Sequence, residues 1–580
     1  MAHLLRPHRS SPDRSPAASR RRLAAALLVV ASATALLGAP PVQPARETPR
    51  PALIVVLVVD QMRADYVDRY AHQWSHGLRR LLSGGASFGQ AAYPYMNTVT
   101  CAGHATIATG AYPRAHGMIL NEWWDRPTGT GVACTTDPAA RPVPYDAPAG
   151  AQAPDAGGDS AWRLRVPTLA DELRAQLSLA PRIVSFSLKA RSAIMLAGHR
   201  ADAVTWLDDA DRWVTSTAFA SGPVPFVQRF VAANPVARDF DKVWTRALDE
   251  RAYLFEDAGV GERPPVGWST TFPHPLAGDN GGGSAADQYT RWERSPFSDA
   301  YLGRLAEAAV DELGLGQGSG LDYLGVSFSA LDRVGHPFGP TSHEVQDTLV
   351  GVDRTIGRLL DHLDRAVGPG RYVVALSADH GVSPIPEQML AQGLSAGRIA
   401  TREVVRQVEE VLEPWLGPGP HVAAIRYTDL YFRPGVYARL RDMPSALNAV
   451  IKAIRAMPGV WRVYRSEDMR DANAAISNDP ILRAVALSHD PDRSGDLLVV
   501  PQPYWINSAD AATHGTASLY DRHVPVVLYG AGIRPGEYLQ PATPADIAPT
   551  LAFLAGVTLA APDGRVLAEA LDRPAPRRPW

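Results

Sequence analysis

The side chains of this sequence that could do chemistry form small groups of aspartate and histidine beside runs of apolar, β-branched residues. Three groups lie within a few residues after such a run, and one histidine precedes another run. A mixed set of carboxylate and imidazole ligands suits a catalytic metal ion, because both are good ligands for Zn²⁺ in sites that keep open positions. The candidates are Asp60, Asp332, His336, Asp379, His380 and His514.

The apolar runs predict the elements that position these side chains. Each run is short, continuous and rich in valine, isoleucine or leucine, as in a buried strand of a parallel sheet. A helical period over His343–Val367, with one apolar face, lies between two of them. Strands that alternate with helices predict an α/β fold with a mostly parallel central sheet flanked by helices. The runs are Leu53–Val59, Arg182–Leu188, Tyr323–Phe328, Tyr372–Leu376 and Val524–Leu528.

The placement of the candidates at strand ends favours one common site. Ligands of open α/β sheets bind at the carboxyl ends of the strands, so distant segments can deliver side chains to one edge. Each piece alone has an ordinary alternative. An aspartate after a strand can cap a helix or close a turn, and Asp332 with His336 can be an i, i+4 helix pair.

A specific resemblance appears in the stretch Val99-Thr100-Cys101-Ala102-Gly103-His104-Ala105-Thr106, with Thr109-Gly110 and His116-Gly117 after it. It resembles the nucleophile region of the alkaline phosphatase superfamily. Within that superfamily it is most similar to the PafA-like bacterial alkaline phosphatases, which have a threonine nucleophile and are related to the nucleotide pyrophosphatase/phosphodiesterases. The resemblance runs from about Leu53 to about Leu554 and implies an alkaline-phosphatase-like fold.

The resemblance implies two Zn²⁺ ions per chain. Such a pair, about 3.5–4 Å apart, can clamp the attacking and the leaving oxygen of an in-line displacement. One ion would be held by Asp332, His336 and His514. The other would be held by Asp60, Asp379 and His380, with the Thr100 oxygen in reach.

Thr100 is the nucleophile that the resemblance implies, and it would form a covalent phosphothreonine. A free threonine hydroxyl is a poor nucleophile, and metal coordination would lower its pKa. A helix N-cap at Thr100 is an alternative that is compatible with this role. Cys101 could suggest a sulfatase, but the proline and arginine of the sulfatase motif are replaced by Gly103 and Ala105.

Three further residues match the phosphate-binding positions of the family: Asn121, Lys189 and Arg191. The lysine and arginine charges would balance a monoester dianion, which predicts a phosphomonoesterase, that is, an alkaline phosphatase acting on small phosphate monoesters. The alternatives are a phosphodiesterase or nucleotide pyrophosphatase on the same fold, and a secreted metal-binding or adhesive protein with a degenerate site. Without the family context, Asn121 would be a turn residue and the two cations a solvated strand end.

The N-terminal pattern predicts that the protein is exported. The arginines at 20–22, the apolar run 23–37 and the small residues that follow predict a signal peptide over 1–39 and a periplasmic or secreted protein. A Sec signal is favoured over a twin-arginine signal, and no stable membrane span is expected after its removal. Whether the only two cysteines, Cys101 and Cys134, form a disulfide stays open.

The rest of the chain predicts one large enzyme domain. A linker is expected over 40–50 and a catalytic domain over 51–575, with an inserted α+β subdomain at about 385–505 and long loops over 125–165 and 257–300. The net charge of the 580 residues is −3, so no nucleic-acid partner is implied.

Overall fold

The fold is known from a computed structural model that describes residues 50–146, 157–279 and 283–572. The predicted signal peptide and nearly all of the predicted linker lie outside the described residues. Within the described ranges, no helix combines the length and the apolar character that crossing a bilayer requires.

A ten-stranded sheet forms the centre of the described chain. In chain order the strands are β1 (Leu53–Val59), β2 (Ala86–Phe88), β3 (Pro142–Pro144), β4 (Ile183–Ser187), β5 (Ala203–Leu207), β6 (Trp213–Ser216), β7 (Asp322–Phe328), β8 (Tyr372–Ser377), β9 (Val526–Gly530) and β10 (Gly536–Tyr538). Their spatial order in the sheet is β10-β2-β9-β8-β1-β7-β4-β5-β6-β3.

The middle of this sheet is parallel, because β8, β1, β7, β4 and β5 all run in the same direction. All seven residues of β1 are buried, as its unbroken apolar sequence predicts. The predicted α/β class is thus confirmed. The predicted run Val524–Leu528 differs in two respects. The strand begins at Val526, after Pro525, which has no N–H for a sheet ladder, and it lies antiparallel to β8.

Helices cover the faces of the sheet. The predicted helix at His343–Val367 is observed over His343–Ala366; the Ser342 hydroxyl caps it by accepting from the Val345 N–H at 3.1 Å. The helices of eight or more residues are Gly77–Gly84, Thr100–Thr109, Leu169–Gln176, Ala190–Ala197, Pro225–Ala233, Ala285–Glu293, Pro296–Leu313, Ala330–Phe338, His343–Ala366, Thr401–Leu416, Pro444–Arg455, Pro480–Ser488 and Ile547–Ala555.

A second, four-stranded sheet lies in the segment between β8 and β9, with its own apolar core that includes Leu430 and Val450. The sequence patterns at 422–432 predict one strand, which is wrong in extent, because the chain turns back at Tyr427 and Thr428. The division of the whole chain into leader, linker, catalytic domain and insertion stays a prediction. The strands of the second sheet are Val422–Arg426, Asp429–Phe432, Leu497–Pro501 and Val460–Arg465.

The two predicted long loops contain regular structure. The first includes the short strand Thr130–Ala133, which pairs with Glu122–Asp125. The second contains the helix Ala285–Glu293, which starts with a capping box between Ser284 and Asp287. A serine followed three residues later by an acidic residue is a helix start signal, so this helix was readable from the sequence.

Candidate active site

The predicted nucleophile lies at the start of a buried helix. Thr100 is the first residue of the helix Thr100–Thr109 and is 1% exposed. Val99 occupies the N-cap position, so the alternative of Thr100 as the cap is wrong. The helix packs closely on the segment after β8. A Cβ at Gly103 would lie 2.2 Å from the Asp379 carbonyl oxygen, which explains why the contact needs glycine.

The three neighbouring parallel strands β8, β1 and β7 deliver the predicted ligands to one edge of the sheet. Asp60 directly follows β1, and Asp379 lies two residues beyond β8. Asp332 lies in the helix Ala330–Phe338, which starts just after β7. These three carboxylates are buried, at 0–4% exposure. The carboxyl ends of the strands therefore form the site, as in other open α/β sheets.

Two compact groups of possible metal ligands lie at this edge, and His380 belongs to both. Within each group, one ligand atom from every residue lies within 4.8 Å of the others. The first group is Asp60, Asp379 and His380, which are the residues of one predicted zinc site. The second group is Asp332, His380 and His514, so it contains His380 in place of the predicted ligand His336.

His336 is nevertheless adjacent to the second group. Its Nε2 lies 3.3 Å from an Asp332 carboxylate oxygen, and its ring centroid lies 5.3 Å from that of His514. Its side chain is 25% exposed, whereas His514 is 5% exposed. The six predicted ligands thus meet in one place, and their division between two ions stays a prediction.

The histidine rings are fixed in one orientation by backbone carbonyl groups. Nδ1 of His336 lies 2.9 Å from the carbonyl oxygen of Ala512, Nδ1 of His380 lies 3.0 Å from that of Gly381, and Nδ1 of His514 lies 2.9 Å from that of Thr98. A carbonyl oxygen only accepts, so each Nδ1 carries a proton, and in the neutral imidazole each Nε2 keeps a free lone pair. Metal-binding histidines are commonly oriented in this way.

Three ligand atoms at the centre of the site are buried without a hydrogen-bond partner among the described residues: Asp60 Oδ1, Asp379 Oδ2 and His380 Nε2. Such atoms are costly when they stay unpaired. Burial and the nearby Asp332 and Asp379 raise the pKa of Asp60 well above its usual value. A cation would reverse this effect and satisfy all three atoms, so the residues fit a metal ion.

Lys189 connects the two ligand groups. Its Nζ lies 2.5 Å from Asp60 Oδ2 and 2.5 Å from Asp332 Oδ2, and the side chain is almost fully buried. Arg191 lies two residues further on, in the helix Ala190–Ala197 that follows β4, and its Nε is buried without a hydrogen-bond partner in the described ranges. The structure thus brings Lys189 to the ligand groups and places Arg191 two residues further along the chain; the substrate roles of both stay predictions.

Asn121 lies against the start of the nucleophile helix. Its Oδ1 accepts from the Cys101 N–H at 2.8 Å, and its backbone carbonyl accepts from the Cys134 N–H at 2.9 Å. The same two cysteines form a disulfide. The disulfide answers the question of cysteine pairing that the sequence left open. It links Cys101, the residue after Thr100, covalently to Cys134, whose N–H donates to Asn121.

Sequence reasoning missed two residues that contact the carboxylates. The Gln61 amide donates to Asp332 Oδ1 at 2.7 Å, and its backbone N–H donates to Asp379 Oδ1 at 3.1 Å. Gln61 has a φ of 70°, which is uncommon outside glycine, and no sequence signal marked it. His104 Nδ1 lies 3.3 Å from Asp379 Oδ2. His104 is part of the quoted family stretch, and that position was the available signal.

Comparisons with known proteins identify the family. The sequence model of the type I phosphodiesterase / nucleotide pyrophosphatase family matches residues 54–523. The alkaline phosphatase PafA of Elizabethkingia meningoseptica is 31% identical over 90% of this chain and 93% of its own length. The alkaline phosphatase PhoV of Synechococcus elongatus is 29% identical over 87% and 90%. The crystal structure of wild-type PafA superposes with a TM-score of 0.82 at 30% identity, covering 90% of this chain and 99% of that one.

The chain therefore belongs to the type I phosphodiesterase / nucleotide pyrophosphatase family. Within that family, its similarity to PafA and PhoV extends over nearly the whole length of each protein. The predicted resemblance to the PafA-like alkaline phosphatases is confirmed, and so is the prediction that the chain is an enzyme of the phosphoesterase class.

Proposed function

We propose that this protein is an exported phosphomonoesterase that holds two Zn²⁺ ions and uses Thr100 as its nucleophile. The observation that carries the proposal is the convergence of orphaned ligand atoms at the start of the Thr100 helix. Asp60 Oδ1, Asp379 Oδ2 and His380 Nε2 are buried and have no hydrogen-bond partner in the part of the chain that the structure describes, and the Asp379 backbone packs against the same helix at Gly103.

The ligands for the ions would be the six aspartate and histidine residues at the edge of the sheet. Bound there, two divalent cations supply charge stabilisation for the phosphoryl group and lower the pKa of a nearby hydroxyl. The carbonyl groups of Ala512, Gly381 and Thr98 prepare the histidines by holding Nδ1 protonated. This orientation exists before substrate arrives and needs no rearrangement.

Thr100 would act in two displacement steps. Its deprotonated oxygen forms a bond to phosphorus while the bond from phosphorus to the ester oxygen breaks, and the leaving alkoxide gains a proton from water. Water then attacks the phosphothreonine, releases inorganic phosphate and returns the Thr100 hydroxyl. The start of a helix favours this position, because the helix dipole stabilises negative charge there.

Lys189 and Arg191 are the basis for proposing monoesters as substrates. Two Zn²⁺ ions, three carboxylates and one threonine alkoxide together carry no net charge, so the two cations remain to balance a dianion. A diester carries one negative charge and also needs room for its second group. A diesterase or nucleotide pyrophosphatase is the second candidate, and the description of the matching family favours it.

Export is proposed on two grounds. The sequence pattern at 20–39 is typical of a signal peptide, and the Cys101–Cys134 disulfide suits an oxidising compartment. The check is cell fractionation with mass determination of the recovered protein. A full-length chain found in the cytoplasm would contradict export.

The substrate class is tested by a rate comparison on the purified mature enzyme. We expect kcat/KM for p-nitrophenyl phosphate to exceed that for bis-p-nitrophenyl phosphate by orders of magnitude. The zinc content is measured on the same sample. A faster rate on the diester would replace the first candidate by the second.

A further inference from the structure

A strained tyrosine of the second sheet reaches the active site. Tyr427 and Thr428 form the two-residue turn between the strands Val422–Arg426 and Asp429–Phe432. Tyr427 has a φ of 52°. Two-residue hairpin turns need positive φ at this first position, and glycine or asparagine normally provides it. A tyrosine there carries a conformational cost, and such residues cluster at functional sites.

The turn is held from several sides. The Asn507 amide donates to the Tyr427 carbonyl oxygen at 2.6 Å, and the Thr428 hydroxyl donates to Asn97 Oδ1 at 3.3 Å. Arg426 donates to Glu122 Oε1 at 2.6 Å. These contacts hold the backbone of the turn in place, and the strain is therefore maintained by the surroundings.

The tyrosine hydroxyl is a hydrogen-bond partner of the predicted phosphate-binding asparagine. Asn121 Nδ2 lies 3.2 Å from the Tyr427 hydroxyl oxygen. The Cys101 N–H is a donor, so the Asn121 atom that faces it must be the oxygen, and the NH₂ group must face the tyrosine. One of its two hydrogens goes to Tyr427. The other stays available for a phosphoryl oxygen.

We propose that Tyr427 is a positioning residue that sets the direction of the Asn121 NH₂ group toward the phosphoryl group. The inference rests on the proposed function, because it assumes that Asn121 binds phosphate. Arg426, the last residue of its strand, contacts Glu122, and the next residue, Tyr427, contacts Asn121. The second sheet thereby contributes to the geometry of a site whose carboxylates Asp60, Asp332 and Asp379 follow strands of the central sheet.

The proposal is tested with Tyr427→Phe, which removes the hydroxyl and keeps the ring. Loss of one hydrogen bond predicts a loss of about fivefold in kcat/KM and a similar weakening of inorganic phosphate binding, measured by calorimetry. The melting temperature should change by less than about 2 °C, since the ring packing remains.

The matched control is Tyr431→Phe. Its hydroxyl belongs to the same hairpin and donates to the Arg493 carbonyl oxygen at 2.8 Å. We expect this variant to keep wild-type kcat/KM and phosphate affinity. Equal losses in Tyr427→Phe and Tyr431→Phe would mean that the hairpin responds as a whole, and the proposal would be wrong.

A double-substitution cycle identifies the route of action. In an Asn121→Ala background, Tyr427→Phe should have less than about a twofold further effect, because the residue through which it acts is gone. A full fivefold loss in that background, or no loss in the single variant, overturns the proposal. The cycle uses whichever ester the wild type hydrolyses, and the phosphate affinity needs no turnover. A failure of the monoesterase proposal is therefore distinguishable from a failure of this one.

Discussion

Removal of the Cys101–Cys134 disulfide is the perturbation whose size the structure defines best. The bond closes a loop with a sequence separation of 33 residues. In the chain-entropy description, closing such a loop removes about 12 cal/mol/K from the unfolded ensemble, or about 3.7 kcal/mol at 25 °C. That amount is a large part of the 5–15 kcal/mol by which a typical protein is stable. A variant with Cys101→Ala and Cys134→Ala should lose most of this free energy.

The disulfide also lies beside Asn121 at the active site, so its removal should lower the catalytic rate. The two cysteines donate their backbone N–H groups to opposite ends of Asn121, one to the side-chain oxygen and one to the carbonyl oxygen. Without the bond, the segment of Asn121 is free to move relative to Thr100. We expect kcat/KM to fall in the double variant and in reduced wild-type enzyme.

The assay is urea unfolding of both proteins with and without dithiothreitol, followed by spectroscopy and by residual activity. Reductant should lower the unfolding midpoint of the wild type toward that of the double variant. The double variant is the control, and its own midpoint should not change with reductant. A stability difference below about 1 kcal/mol would refute the reasoning from loop closure. A reductant effect on the cysteine-free protein would show that another cause acts.

Three further predictions concern the metal ions, the substrate charge and the helix contact. Chelation should abolish activity and Zn²⁺ should restore it, and Asp379→Ala should lower the measured metal content; full activity in a metal-free sample would contradict this. The variant with Lys189→Ala and Arg191→Ala should lose much more activity on a monoester than on a diester, since each charged contact with the phosphoryl group contributes about 1.5–3 kcal/mol. Equal losses on both substrates would mean that the two residues have a structural role. Gly103→Ala should lower the free energy of unfolding, measured with denaturant, by about 1–3 kcal/mol and should also lower activity, because the new Cβ would overlap the Asp379 carbonyl oxygen. Wild-type stability and activity in this variant would mean that the helix can shift.

The sequence predicted the parallel centre of the sheet because its strands are buried on both faces and therefore read as unbroken apolar runs. The same signal could not give the direction of β9, since an apolar run looks alike in parallel and antiparallel strands. It also could not locate the turn at Tyr427, because that turn lacks the glycine or asparagine that usually marks one.

The sequence predicts the residue types of the candidate site and the edge of the sheet at which the site lies. Asp60 and Asp379 follow adjacent parallel strands, and this placement can be read from the sequence. The position of His380 between both ligand groups depends on side-chain directions after the strand ends, which no sequence pattern carries. The disulfide likewise depended on the approach of two segments that only the fold brings together.

The formation of a bond between Thr100 and phosphorus is the central claim, and the stereochemistry at phosphorus tests it most directly. Each in-line displacement inverts the configuration, so two successive displacements through a phosphothreonine give net retention. The phosphoryl group of a monoester made chiral with oxygen isotopes is transferred to an acceptor alcohol, and the configuration of the new monoester is determined. The account predicts retention. Net inversion would mean that water attacks the ester directly, and it would contradict the role of Thr100 as nucleophile.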